Sequence, residues 1–336
     1  MTKRTRYFIL GSVGILALGL TVGVAAYYGG VRGFAQPAGP NELHYVPSDA
    51  TVVAYADVKE LMASQFRQQM KGLEPADQQK GRDEIHEAVG IDIERDLDYV
   101  VACMLASPAD ATEKPHGYIL ARGRFDEPRI ETFIRSKGGV EQDYKGKKMF
   151  VHAAESGTST EEMGLAFIEP GVVAMGSAAA LRKVVDVQAG AAAAVVTNSE
   201  VMGMIETVER GNNAWVVGRF DVLSKHAHLP TEMAGQLPQV TWFSAGGHVN
   251  GGVNATVSLQ ARDEEAAKNL QQVAAGFIAL ANMQATSRPE LKAILQTIAL
   301  TNDAGHNTVS LSFSLPSGAI EALKGAAGIP HPAPKH

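Results

Sequence analysis

The residues that could do chemistry are few and scattered. His226 and His228 form an H-x-H pair before Pro230, and paired imidazoles can bind a transition metal. No cysteine or carboxylate stands at matching spacing, so the pair reads as an exposed segment rather than a metal site. Asp92, Glu94, Asp96 and Asp98 place an acid at every second position, like the start of a calcium loop. The glycine that an EF-hand turn needs is missing, and the run reads as a solvated helix start leading into a strand. The single cysteine, Cys103, lies in the apolar run Tyr99–Leu105. It can form no intrachain disulfide and reads as a small buried hydrophobe. Glu161–Glu162 and Glu264–Glu265 are adjacent in sequence and do not converge for acid–base work, the second pair suiting a helix N-terminus. Lys145, Lys147 and Lys148 flank a turn and read as a solubilising tip, and the tail histidines His331 and His336 suit only adventitious metal.

One motif recurs. Gly123-Arg124-Phe125-Asp126 returns as Gly218-Arg219-Phe220-Asp221, each time at the end of an apolar run. Phe facing a core and Asp capping the next helix explain the motif as a strand-to-helix junction. Its functional reading makes Arg124 and Arg219 a pseudo-symmetric pair that contacts an anion or a partner's carboxylate. The signatures G-x-S-x-G, S-x-x-K, H-E-x-x-H, Walker A and G-x-G-x-x-G are absent from the 336 residues. No catalytic residue, metal ligand or cofactor follows, and a non-enzymatic module is expected. The alternative is a hydrolase whose site is assembled from distant residues.

The elements that must position these residues begin with Tyr7–Tyr28, 22 residues without a charge, preceded by Lys3, Arg4 and Arg6. A helix of that length spans about 33 Å, enough for a bilayer core of about 30 Å. The basic flank predicts a cytoplasmic N-terminus and an exported, periplasmic C-terminal part on a single-pass inner-membrane anchor. Val24-Ala25-Ala26 could instead end a signal peptide cleaved after Ala26. Gly19 and Gly23 form a GxxxG that could pair two helices into a homodimer. Residues 29–46, rich in Gly and Pro, read as a flexible spacer. Four of the 30 Lys and Arg residues and none of the 36 acids lie in residues 1–40, so the remainder carries 26 basic and 36 acidic residues. Such a domain is poorly suited to nucleic acid.

Beyond the spacer, short apolar runs alternate with capped amphipathic segments. Turn signals at Lys145-Gly146, Pro170-Gly171 and Asn250-Gly251-Gly252 predict three hairpins. Val253, Ala255, Val257 and Leu259 alternate with Asn254, Thr256, Ser258 and Gln260, as on a strand with one wet face. Asp57, Asp126, Ser177, Asn198 or Ser199, and Asp263 are placed to cap helices, and Ser287-Arg288-Pro289-Glu290 has capping-box spacing. The expectation is an α+β fold: antiparallel sheets with helices packed largely on one face, in two related halves, 47–190 and 191–329, and a disordered tail from 330. The alanine run Ala191–Ala194 is the expected join.

LHYVPSDATVVAYADVKELMASQF, GIDIERDLDYVV, GRFDEPRIETFIRSKG and NAWVVGRFD together resemble a class of uncharacterised bacterial envelope proteins. These carry one N-terminal membrane segment and a repetitive α+β extracytoplasmic domain of unknown function. The resemblance covers most of residues 43–325 and implies an envelope location with an unknown envelope partner. It transfers no catalytic residue.

Overall fold

A computed structural model describes residues 41–70, 76–105, 116–152, 162–221, 239–285, 292 and 294–316. The 7–28 anchor with Gly19 and Gly23, His226 and His228, the Ser287–Glu290 box and the tail from 330 lie outside the described residues. No helix among the described residues is long and apolar enough to cross a membrane.

The described residues group into two compact units, 41–63 with 67–218, and 64–66 with 219–316. In the first, eight strands form an antiparallel sheet: β1 (Ala50–Ala56), β2 (Leu97–Leu105), β3 (Gly117–Gly123), β4 (Val140–Tyr144), β5 (Lys147–His152), β6 (Met163–Glu169), β7 (Val172–Ser177) and β8 (Ala214–Arg219). Their spatial order is β8-β1-β2-β3-β7-β6-β5-β4. The helices of this unit are α1 (Val58–Ala63), α2 (Gln65–Met70, whose first two residues group with the second unit), α3 (Ala76–Val89), α4 (Ile93–Asp96), α5 (Glu127–Ser136), α6 (Ala178–Gln188) and α7 (Ser199–Glu209). A 3-10 turn, Asn41–Tyr45, precedes β1.

The turns obey local chemistry. Lys145 and Gly146 both take positive φ, 53° and 78°, as the tight β4–β5 hairpin requires. Gly171, at φ 77°, turns β6 into β7. Asp57, Asp126, Ser177 and Asn198 each accept a backbone N–H in the first turn of the next helix.

Helices do not keep to one face of this sheet, which corrects the expectation. Ile130 of α5 packs with Phe150, Phe167 and Val173 on one face. Leu181 of α6 reaches Gly164 on the other, within 3.2 Å of where a Cβ would stand. There Met149, Ala166, Ala174 and Leu120 follow one another in register and are all buried. Both faces are therefore covered at this end, and clean alternation is lost. The hairpin lysines are not a free tip either. Lys145 pairs with Asp186 on α6, and Lys148 pairs with Glu131 on α5.

A further correction concerns the spacer. Residues 41–46 are seated, with Glu42, Leu43 and Val46 buried. The backbone continues into the fold, with Val195 N donating to Val46 O and Ser48 N to Ala193 O. Ala191–Ala194, expected as the join, lies inside this first unit.

The second unit carries an antiparallel sheet of β9 (Val240–Val249), β10 (Gly252–Ala261), β11 (Ala299–Asp303) and β12 (Thr308–Pro316), in the order β11-β12-β10-β9. Helix α8 (Glu264–Gln284), capped by Asp263, buries Ala266, Ala267 and Leu270 against Ala261 and Val309. Burying a leucine-sized side chain is worth about 2 kcal/mol. The opposite face carries hydroxyls: Thr256 meets Ser312 and Ser258 meets Ser310, both at 2.8 Å. Leu259 lies on the helix-covered face as read from residues 253–260, but burial along β10 does not alternate, residues on both faces being half-buried. Strand β11, whose Thr301, Asn302 and Asp303 lack apolar side chains, is not among the expected strands.

Candidate functional site

At one end of the first sheet a fully buried carboxylate, Glu42, meets Arg122 on β3. Three elements bring its partners there. Tyr99 on β2 is directly opposite Arg122, and Val172 on β7 is opposite it on the other side. A bulge between Phe167 and Glu169 gives β6 an extra residue, which sets Glu169 opposite Val172 and therefore beside Arg122. The 3-10 turn supplies Glu42 and Tyr45.

Arg122 Nε donates to Glu42 Oε1, and its Nη2 donates to Glu169 Oε1 at 2.6 Å. The Tyr45 phenol donates to Glu169 Oε2 at 2.6 Å, and the Tyr118 phenol donates to the Tyr45 carbonyl at 3.1 Å. The burial of the three charges is unequal. Glu42 is fully inaccessible, whereas the Arg122 and Glu169 side chains keep 29% and 33% of their exposure. Glu42 Oε2 is buried without a hydrogen-bond partner among the described residues.

Electrostatics follow from this packing. Burial would disfavour the Arg122 charge, but its hydrogen bonds to Glu42 and Glu169 hold it firmly protonated. The hydrogen bond from Tyr45, then that from Arg122, keep the Glu169 carboxyl below the usual glutamate range. Burial, and then the Glu169 carboxylate, push the Tyr45 phenol up to about 12. Burial, followed by contact with Glu42, also raises Tyr99. Behind Tyr99 an aromatic row continues through Tyr55 to Trp215, with ring centroids 5.9 and 5.7 Å apart. A guanidinium shared between two carboxylates is a fastening, since its donors are committed to groups of the same chain.

None of these residues stood out in the sequence. The available signal was an arginine, Arg122, directly after the apolar run Tyr118–Ala121, together with a glutamate just before Pro170-Gly171.

The residues that did stand out fall elsewhere. Arg124 donates to Arg95 O and, at 3.2 Å, to Asp96. Phe125 packs on the core and Asp126 caps α5, as a junction motif should. In the second copy Arg219 instead binds Asp221 at 3.0 Å, so the local chemistry of the repeat differs. Arg124 and Arg219 belong to different units. The acids from 92 to 98 are matched by cations: Asp92 with Arg95, Glu94 with Arg67, Asp96 with Arg124 and Asp98 with Lys59. Asp92 also caps α4, and no metal-holding acid or histidine group occurs among the described residues. Cys103 is buried, which pushes its thiol up to about 12. A groove of about 390 Å³ between α3 and α5 is lined by Glu84, Ile85, Ala88, Val89 and Phe133.

No family model and no curated protein sequence matches the chain. A solved structure, crystal form I of TP0453, is similar at a TM-score of 0.45 and 11% identity, over 85% of this chain and 97% of that one. A likeness that weak carries no argument about fold or function.

Proposed function

We propose that this chain is a membrane-anchored, extracytoplasmic binding or structural module of the bacterial cell envelope. The observation that carries the reading is Tyr7–Tyr28, uncharged and flanked by Lys3, Arg4 and Arg6. The acidic balance of the remainder supports a role that avoids nucleic acid and anionic headgroups. An unidentified envelope protein is the expected partner, and Gly19 and Gly23 offer a face for self-association.

Fractionation of cells expressing the full chain tests the reading. Retention in the membrane through a carbonate wash, with residues after 40 digested by protease added to spheroplasts, supports it. A chain found in the soluble fraction, or one whose folded part resists protease until the cytoplasm is opened, refutes it. The mass of the mature protein decides between an intact anchor and cleavage after Ala26.

A further inference from the structure

The 3-10 turn Asn41–Tyr45 makes no pairing with any strand of the sheet it lies on. Past Val46 the chain is stitched down, through Val195 N to Val46 O at 2.6 Å and the bridge between Pro47 and Ala194. Before Val46, the described polar contacts to the sheet are the Glu42–Arg122 pair, Tyr45 on Glu169, and Tyr118 on the Tyr45 carbonyl, while the turn, with Leu43 buried, also packs on α6 and on the 3-10 turn Val195–Thr197.

From this geometry we infer that residues 41–45 form a strap that opens as a unit, hinged at Val46–Ser48 and locked by Arg122. Two of these three polar contacts end on Arg122 or its partner Glu169, so loss of one weakens the other. The turn is held by side chains and by no strand-to-strand ladder, and such short segments can open at free energies below that of global unfolding. The Glu42 carboxylate adds to this, because opening returns a fully buried charge to water. An open strap uncovers Arg122, Tyr99 and Tyr118 at the point where the chain from residues 1–40 enters the fold. The inference is independent of whether residues 7–28 cross a membrane.

Hydrogen exchange of the full 336-residue chain, read by mass spectrometry, tests it. In the unaltered protein, peptides covering 41–46 exchange faster than those covering β2 and β3. Tyr45→Phe and Glu169→Gln, which alter only the partly exposed side of the lock, each speed exchange of 41–46 by about tenfold, the equivalent of about 1.4 kcal/mol. Exchange in β2, which needs the whole unit to unfold, remains slower than exchange in 41–46. Equal protection of 41–46 and β2 in the unaltered chain overturns the strap, because the turn then opens only with the whole unit. So does exchange of 41–46 that neither variant speeds. Glu42→Gln adds a third reading where it folds, and the other two stand without it.

Discussion

Removing Arg122 and removing the charge of Glu42 delete the same ion pair, yet the structure predicts unequal costs. Arg122→Leu strands a carboxylate that has no exposure and already carries one unsatisfied oxygen. Breaking a buried pair in this direction costs about 3–5 kcal/mol, because an uncompensated charge stays in the interior. Glu42→Gln leaves Arg122 with its bond to Glu169 and with partial exposure to water. The expected loss is then about 1–2 kcal/mol, that of one hydrogen bond to a charged group. The double variant should cost less than the sum of the two, since no stranded charge remains. Urea unfolding followed by fluorescence measures this cleanly. The chain has two tryptophans, buried Trp215 in the unit that holds the lock and Trp242 in the other. In a Trp242→Phe background the signal reports on the relevant unit alone. Costs for Arg122→Leu and Glu42→Gln that agree within about 0.5 kcal/mol, the usual error of such comparisons, would refute the argument from unequal burial.

Three other expectations follow from the same structure. Gly123→Ala would place a Cβ 2.1 Å from the Asp96 carbonyl, and should destabilise by about 2 kcal/mol or more. Gly203→Ala, inside α7 with nothing within 4 Å, should stabilise by about 0.5–1 kcal/mol; equal and opposite urea midpoints to these would contradict the packing. Glu169, faced by Tyr45, Arg122 and Lys147, has a depressed folded pKa. Its contribution is therefore full above the usual glutamate value and is lost as pH falls through the depressed one. The stability difference between the unaltered chain and Glu169→Gln should thus shrink on acidification, and a difference that grows would reverse the assignment. Cys103, 2% exposed and with its thiol raised, should resist maleimide in the native chain and react only as the first unit unfolds in urea. Rapid native labelling would place it at the surface.

What the sequence alone determined is local. Positive-φ turns at Lys145-Gly146 and Gly171 follow from the few residues that tolerate them. Caps at Asp57, Asp126, Ser177, Asn198 and Asp263 follow from side chains that compete for first-turn N–H groups. The alternation of residue types over 253–260 follows from the two-residue period of a strand. Such features need only neighbours within a few positions, and residue type controls them.

Tertiary structure alone decided the rest. Strand β1 lies between β2 and β8, a pairing of distant segments that no local signal announces. Helices on both faces near Phe150 and Met149 removed the alternation by which a solvent face would be recognised. The Arg122 lock depends on a bulge at Glu169 and on a 3-10 turn that composition marked as spacer. Its partners Glu42 and Glu169 are 80 and 47 residues from Arg122 along the chain. A charged side chain in an apolar strand announces that a partner must exist, because its burial unpaired is too costly. Which residue answers that demand is set by where the strands come together.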